Sequence, residues 1–298
     1  MIDWKLRISS HFPSQKQKDG EITICEFPGS LSLDFHKKMP KGAALRELEK
    51  QQFHLSNWET PYYSEAIRGF LKDVDKSSII LDAGCGDGRF TKLLIELGFS
   101  KIVATDIDIK PLKSLEQYLR ERNCLDKVLL VNCGLDRIPC DDDTFDAVLA
   151  IGVLYYLNEN FENGLAEVSR VLKKGGMLVN SEPDLEGAIY KSVFFERLDD
   201  VLENYFKRVF KEEKGTTPFK FKLFTENEIR GHLLKHGFSV KDKYGLSLFP
   251  SIVRILLVRE ELKREEIVEK EKEIIEVMKF LNGDGKLNKH IIWKSIKE

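Results

Sequence analysis

Between residues 79 and 181, short apolar runs alternate with stretches whose apolar residues recur every three or four positions. A run of three or four apolar residues closed by a polar one is the mark of a strand buried on both faces. A spacing of three and four marks a helix with one buried side. On this basis Ile79 to Asp82 predicts a strand, Phe90 to Leu97 a helix, Lys101 to Asp106 a strand and Pro111 to about Arg122 a helix. Lys127 to Asn132 and Ala147 to Ile151 predict two further strands. Phe161 to Leu172 predicts a helix with Gly175-Gly176 as its C-cap, and Met177 to Ser181 a fifth strand. Strands separated by helices imply right-handed crossovers and a parallel sheet.

The flanks follow other rhythms. Glu21 to Cys25 and Ser30 to Phe35 each alternate polar and apolar about Pro28-Gly29, which predicts a β-hairpin extension over residues 1–45. Gly42 to Gln52 reads as helical. Thr60 is placed as an N-cap with Pro61 at the first helical position, ahead of a helix through Ala66, Phe70 and Leu71. After Pro183, residues 185–222 are aromatic and basic and are expected to form a helical lid insertion. Thr225-x-x-Glu228 is a capping box, and Phe238 to Tyr244 a sixth strand. Residues 248–284 predict a charged helical insertion, and His290 to Ile296 a last strand.

The chemistry gathers after the first strand. Leu81-Asp82-Ala83-Gly84-Cys85-Gly86-Asp87-Gly88-Arg89 joins strand to helix through three alternating glycines, a cradle in which a ligand can lie against bare backbone at a helix N-terminus. Gly84-x-Gly86-x-x-Arg89 puts a bulky residue where a dinucleotide fingerprint wants a small one, and the Gly-Lys-Ser/Thr of a phosphate loop is absent. The nine residues closely resemble motif I of class I S-adenosylmethionine (SAM)-dependent methyltransferases. The resemblance covers about residues 60–185. It implies an α/β fold: a Rossmann-like three-layer sandwich with a mostly parallel seven-stranded sheet, an antiparallel C-terminal strand and helical insertions. It assigns residues 46–298 to the catalytic domain.

Asp106 closes the second strand 22 residues past Gly84, where an α/β nucleotide site keeps its ribose-binding acid. In the resemblance, SAM is the cofactor and Asp82, Gly84, Cys85, Gly86, Asp106, Ile107, Gly134, Leu135 and Ile151 are the residues expected around it. Ile107 would lie against adenine, and backbone near Ile151 would hold the methionine ammonium with Asp82 close by. Gly134 stands where the family commonly has an adenine-binding aspartate, which leaves adenine to the Leu135 backbone or to Asp136 or Asn132. Tyr155 and Glu182, at the ends of strands, are the first candidates for assisting proton removal, ahead of Tyr156 and His232. Tyr62 and Tyr63 fit either a lid over the cofactor or packing of their helix onto the sheet.

Composition narrows the partners. Lys+Arg of 47 against Asp+Glu of 49 gives a net charge of −2, so bulk charge does not mark a nucleic-acid binder. Five cysteines without a C-x-x-C pair indicate neither a disulfide framework nor a zinc ribbon, and Asp141-Asp142-Asp143 reads as a hydrophilic turn, so no metal is expected. Cys140 follows Pro139 ahead of the fourth strand, not after it where a cytosine-C5 nucleophile would stand. No membrane span is apparent, and the chain is expected to be soluble and cytoplasmic. A small-molecule acceptor is the leading expectation. RNA is the alternative, through Lys207, Arg208, Lys211, Lys214, Lys220 and Lys222, and a non-catalytic subunit that kept the fold is the third reading.

Overall fold

The computed structural model describes residues 4–10, 17–25, 55–194, 198–214, 217–258, 261, 270–283 and 287–298. Its centre is the predicted alternation. Strands β3 (Ile80–Ala83), β4 (Ile102–Asp106), β5 (Val128–Asn132), β6 (Phe145–Ile151) and β7 (Leu172–Pro183) run parallel, with β3 between β4 and β6. Helices α3 (Arg89–Glu96), α4 (Ile109–Glu121) and α5 (Phe161–Val171) connect them. The strand centres are apolar because both faces are covered. Ile80, Ile102, Leu130 and Leu149 pack with α2 (Leu55–Phe70), α3 and α4 on one side. Leu81, Val103, Val131 and Val148 pack with α5 and α8 (Glu226–Lys235) on the other.

The sheet holds nine strands in the order β1-β2-β5-β4-β3-β6-β7-β11-β10. Strand β11 (Asn288–Lys297) is antiparallel to both β7 and β10 (Phe238–Ser247), so the reversed C-terminal strand is present. The two strands beyond the expected seven come from the N-terminus. Strand β1 (Gln17–Asp19) turns at Gly20 into β2 (Ile22–Ile24), which pairs in parallel with β5. The alternation at Glu21 to Cys25 is therefore a strand, but its partner precedes it: Gly20, at φ +65°, supplies the turn. Helix α1 (Trp4–Ser9) lies ahead of this hairpin. The predicted second strand at Ser30 to Phe35, the helix at Gly42 to Gln52 and the boundary at residue 45 lie outside the described residues.

Three other expectations are corrected. Thr60 and Pro61 lie inside α2, which starts at Leu55; the Thr60 hydroxyl accepts from Arg89 Nη1 at 3.5 Å and does not cap the helix. Gly175-Gly176 does not cap α5. Leu172, fully buried and paired with Phe145, already carries the chain into β7. The insertion at 185–222 is half β: after α6 (Leu185–Phe194) and α7 (Leu198–Lys207) come β8 (Val209–Lys214) and β9 (Thr217–Lys222), an antiparallel pair. The capping box is as predicted. Thr225 Oγ1 accepts from Glu228 N at 3.2 Å, and Glu228 Oε2 accepts from Thr225 N at 2.7 Å. Helices α9 (Phe249–Val258) and α10 (Glu271–Leu281) supply the predicted C-terminal helical segment, anchored through buried Val253 and Met278. No helix among the described residues is long and apolar enough to cross a membrane.

Candidate functional site

The order of the sheet reverses at β3: β4 and β5 continue to one side, β6 and β7 to the other. Loops leaving the C-terminal ends of β3 and β6 therefore diverge and open a crevice, the general place for a ligand in an open α/β sheet. The glycine turn leaves β3 there. Gly84 has φ +69°, and a Cβ on it would come 2.5 Å from Val153 Cγ2, so this glycine lets the turn lie against the segment after β6. Gly86 has φ +56° and nothing within 4 Å of where its Cβ would be. Its backbone faces open space, which a ligand can approach closely.

Asp106 is built into this turn. Its Oδ2 accepts from Gly86 N and its Oδ1 from Asp108 N, each at 2.8 Å. Each carboxylate oxygen has a second lone pair, so the group can still accept from a ligand's hydroxyls while it braces the loop. Asn132 fixes the strand end beneath, donating from Nδ2 to the Asp106 and Ile107 carbonyls at 2.9 Å. Ile107 is half-buried beside Asp106. The Leu135 side chain is buried in the core and Gly134 has none, so this segment offers a ligand only backbone.

Asp82 is 1 % exposed and accepts from Thr91 Oγ1 at 2.6 Å. Burial pushes its carboxyl up to about 6, opposed by the Thr91 hydrogen bond. Its side chain thus ties β3 to α3. Cys85 Sγ is buried too, and burial raises its thiol well above the usual range, which keeps it protonated at pH 7. Ile151 ends β6, and the next N–H, of Gly152, donates to Ser181 Oγ at 2.9 Å. The Tyr63 hydroxyl shares a hydrogen bond with Ser181, and its ring lies 5.8 Å from Phe90, with the Arg89 guanidinium 5.0 Å from Tyr63 and 4.3 Å from Phe90. Tyr63 thereby joins α2 to the crevice, as packing and as wall.

The candidates for proton removal separate. Tyr155 is 5 % exposed; burial raises its hydroxyl well above the usual range, and it is hydrogen-bonded to Tyr156. Glu182 is 1 % exposed, accepts from Asn180 Nδ2 at 2.9 Å, and is pushed by burial up to about 8. His232 is 2.8 Å from Glu162 and edge-on to Phe161 and Phe224, between α5 and α8. Asp142 pairs with Arg170 and Asp143 with Lys297, which agrees with a polar turn; no group of three metal-ligating side chains occurs among the described residues.

A residue that sequence reasoning passed over stands at the crevice instead. His290 lies near the start of β11 opposite Pro183, with its ring 5.6 Å from that of Tyr155. It lines a half-open recess with Asp184, Lys191, Lys289, Phe221 and Leu248 among its walls. No local motif marks this histidine. Only antiparallel pairing of the last strand with β7 brings it to the sheet's C-terminal edge.

Residues 81–180 match the family described as "Methyltransferase domain". An uncharacterized methyltransferase of Schizosaccharomyces pombe is 34 % identical over 142 residues, covering 44 % of this chain and 48 % of that protein. The probable tRNA methyltransferase 9B of Mus musculus is 30 % identical over 143 residues, covering 45 % of this chain and 30 % of that one. This chain spans about half or less of the length of these two curated relatives. The crystal structure of Burkholderia thailandensis 1,6-didemethyltoxoflavin-N1-methyltransferase, with its namesake and S-adenosylhomocysteine bound, superimposes with a TM-score of 0.56 at 14 % identity, covering 96 % of each chain. Residues 81–180 are thus similar to methyltransferase domains, and the sheet around them has the fold of the class I SAM-dependent methyltransferases. S-adenosylmethionine is the cofactor of that class, and the open face of Gly86 beside the Asp106 carboxylate fits it.

Proposed function

We propose that the protein transfers the methyl group of S-adenosylmethionine to a small-molecule acceptor. The observation that carries this reading is the braced turn, with the bare backbone of Gly86 held to the Asp106 carboxylate at the reversal of strand order. In this reading Asp106 takes the ribose hydroxyls through charge-assisted hydrogen bonds, and Ile107 covers one face of adenine. Gly134 and Leu135 meet adenine by backbone alone. Gly84, Cys85 and Gly86 line the turn with main chain, while backbone around Ile151 holds the methionine end. Asp82 acts from behind, through its bond to Thr91, by holding the start of α3 to β3.

When bound, the cofactor supplies a methyl group on a sulfonium that is its own leaving group. The chain's share is to align the acceptor and exclude water. Tyr63, Tyr155 and Phe221 wall that space with buried rings. A small acceptor is favoured over RNA because part of the basic stretch is already engaged. Arg208 pairs with Glu228 at 3.5 Å, and the Lys222 ammonium lies 5.4 Å from the Phe224 ring. The tRNA reading rests on a relative's name that covers less than half of this chain.

Calorimetric titration of the purified protein with S-adenosylmethionine, S-adenosylhomocysteine and NAD tests the cofactor. Micromolar binding of the first two and none of the third is expected. Binding of NAD alone, or of none, would overturn the reading, and the second result would favour a non-catalytic domain. Salt-sensitive binding of bulk tRNA would overturn the small-molecule part.

A further inference from the structure

We propose, resting on the methyl-transfer reading above, that the recess beside β7 receives the acceptor and that the His290 imidazole is the partner of its reacting O–H or N–H. The recess is built from four elements. Asp184 and α6 form one side, β9 and the residue after it contribute Phe221 and Leu223, Leu248 follows β10, and Lys289 and His290 come from β11. A short run of chain links it to the cofactor crevice: Val153 abuts Gly84 of the glycine turn, and two residues on, Tyr155 meets the His290 ring.

Polar groups in the wall are mostly committed. The Asp184 carboxylate accepts from Gly187 N at 3.1 Å and caps α6. Lys289 is held by Glu59 at 2.6 Å. His290 differs. It is 9 % exposed, and its Nδ1 is buried with no hydrogen-bond partner. A buried polar atom left unpaired costs about 1–3 kcal/mol, and this one belongs to a ring that lines the recess. Burial, and then the charges of Lys289, Lys191 and Arg89, hold the imidazole well below its usual range. The ring is therefore neutral at pH 7 and has a lone pair to offer. Tyr155 and Glu182, by contrast, carry raised values and hold their protons there.

The remaining walls, Pro183, Ala188, Phe221, Leu223 and Leu248, are apolar. Together they define a small acceptor with an apolar body and one phenol-like O–H or N–H. Transfer then balances. The acceptor heteroatom bonds the methyl carbon, the methyl–sulfur bond breaks with its electron pair going to sulfur, and the acceptor's proton ends on His290, which returns it to solvent.

The test uses the full chain, labelled with ¹⁵N at its six histidines and saturated with S-adenosylhomocysteine, with phenol and anisole as probes. His290→Gln assigns the signal. Phenol is expected to shift the His290 ring nitrogens and leave the other five histidines in place; anisole, which cannot donate, is expected not to. Ala188→Trp, which fills the recess, is expected to abolish the phenol shift while circular dichroism and S-adenosylhomocysteine binding stay as in the wild type. No phenol shift, or an equal shift with anisole, would overturn the proposal. Should S-adenosylhomocysteine fail to bind, the methyl-transfer reading falls separately. The phenol titration of the free protein then decides the recess alone, a selective His290 shift supporting the site and its absence overturning it.

Discussion

Asp106 does two jobs with one carboxylate, and its variants separate them. The group braces the glycine turn through Gly86 N and Asp108 N, and in the proposed role also accepts from ribose. Asp106→Ala removes both, and a lost charged hydrogen bond costs about 1.5–3 kcal/mol. S-adenosylhomocysteine affinity measured by calorimetry should fall by more than roughly tenfold. Asp106→Asn keeps the shape but turns one acceptor into a donor facing a backbone N–H, so it should weaken binding nearly as much as Ala. An unchanged affinity in both variants would remove Asp106 from the cofactor site. Asp106 was legible in the sequence because one strand end and one spacing fix it. His290 was not, since its neighbours Tyr155 and Pro183 are more than a hundred residues away and meet it only through strand pairing.

At the scale of elements, the strand–turn–helix unit was legible because each part has its own local cause: an apolar run, glycines at positive φ, and a helix with a narrow apolar face. Gly84→Ala tests the tightest of these joints. The new Cβ would fall 2.5 Å from Val153 Cγ2 on a residue already at φ +69°. The turn has to shift, so the variant should stay folded by circular dichroism yet lose S-adenosylhomocysteine binding at least tenfold; wild-type affinity would show that the turn's seat on Val153 is irrelevant. Thr225→Ala removes one half of the capping box on α8. It should lower the urea-unfolding free energy by about 1 kcal/mol and leave cofactor affinity alone. What escaped sequence reading at this scale was register and partnership. The strand at Ile22 was visible, but not that it would join the edge of the main sheet at β5. The β8–β9 pair was hidden among aromatic and basic residues that read equally well as helix.

Across the whole molecule, the carboxyls buried around the crevice set a pH dependence with a definite sign. Glu182 moves from 4.5 up to about 8, and Asp82 and Asp184 from 3.8 up to about 6, each chiefly through burial. A raised carboxyl value means that the native state keeps a proton the unfolded chain has released. These groups therefore add nothing below about pH 4, lower the stability as pH rises through the window from 4 to 8, and exert their full penalty above it. For Glu182 that penalty is on the order of 5 kcal/mol at 1.36 kcal/mol per tenfold change. Other carboxylates run the opposite way, Glu162 being held down at about 2 chiefly by its hydrogen bond with Lys235, so the absolute profile mixes both. The difference between wild type and Glu182→Gln isolates one group. Gln is neutral at every pH and can keep the bond from Asn180 Nδ2 to the retained side-chain oxygen. Urea unfolding followed by circular dichroism should find the two proteins within about 1 kcal/mol of each other at pH 5. At pH 9 the variant should be the more stable by several kcal/mol, with the gap opening between pH 5 and 8, where native Glu182 keeps a proton that the unfolded chain has released, and levelling off above. Parallel profiles from pH 5 to 9 would mean that this carboxyl titrates as an ordinary one. Glu182 would then have to reach water or a partner at the end of β7, and with it would go the distinction between a glutamate that holds its proton and a histidine free to take one.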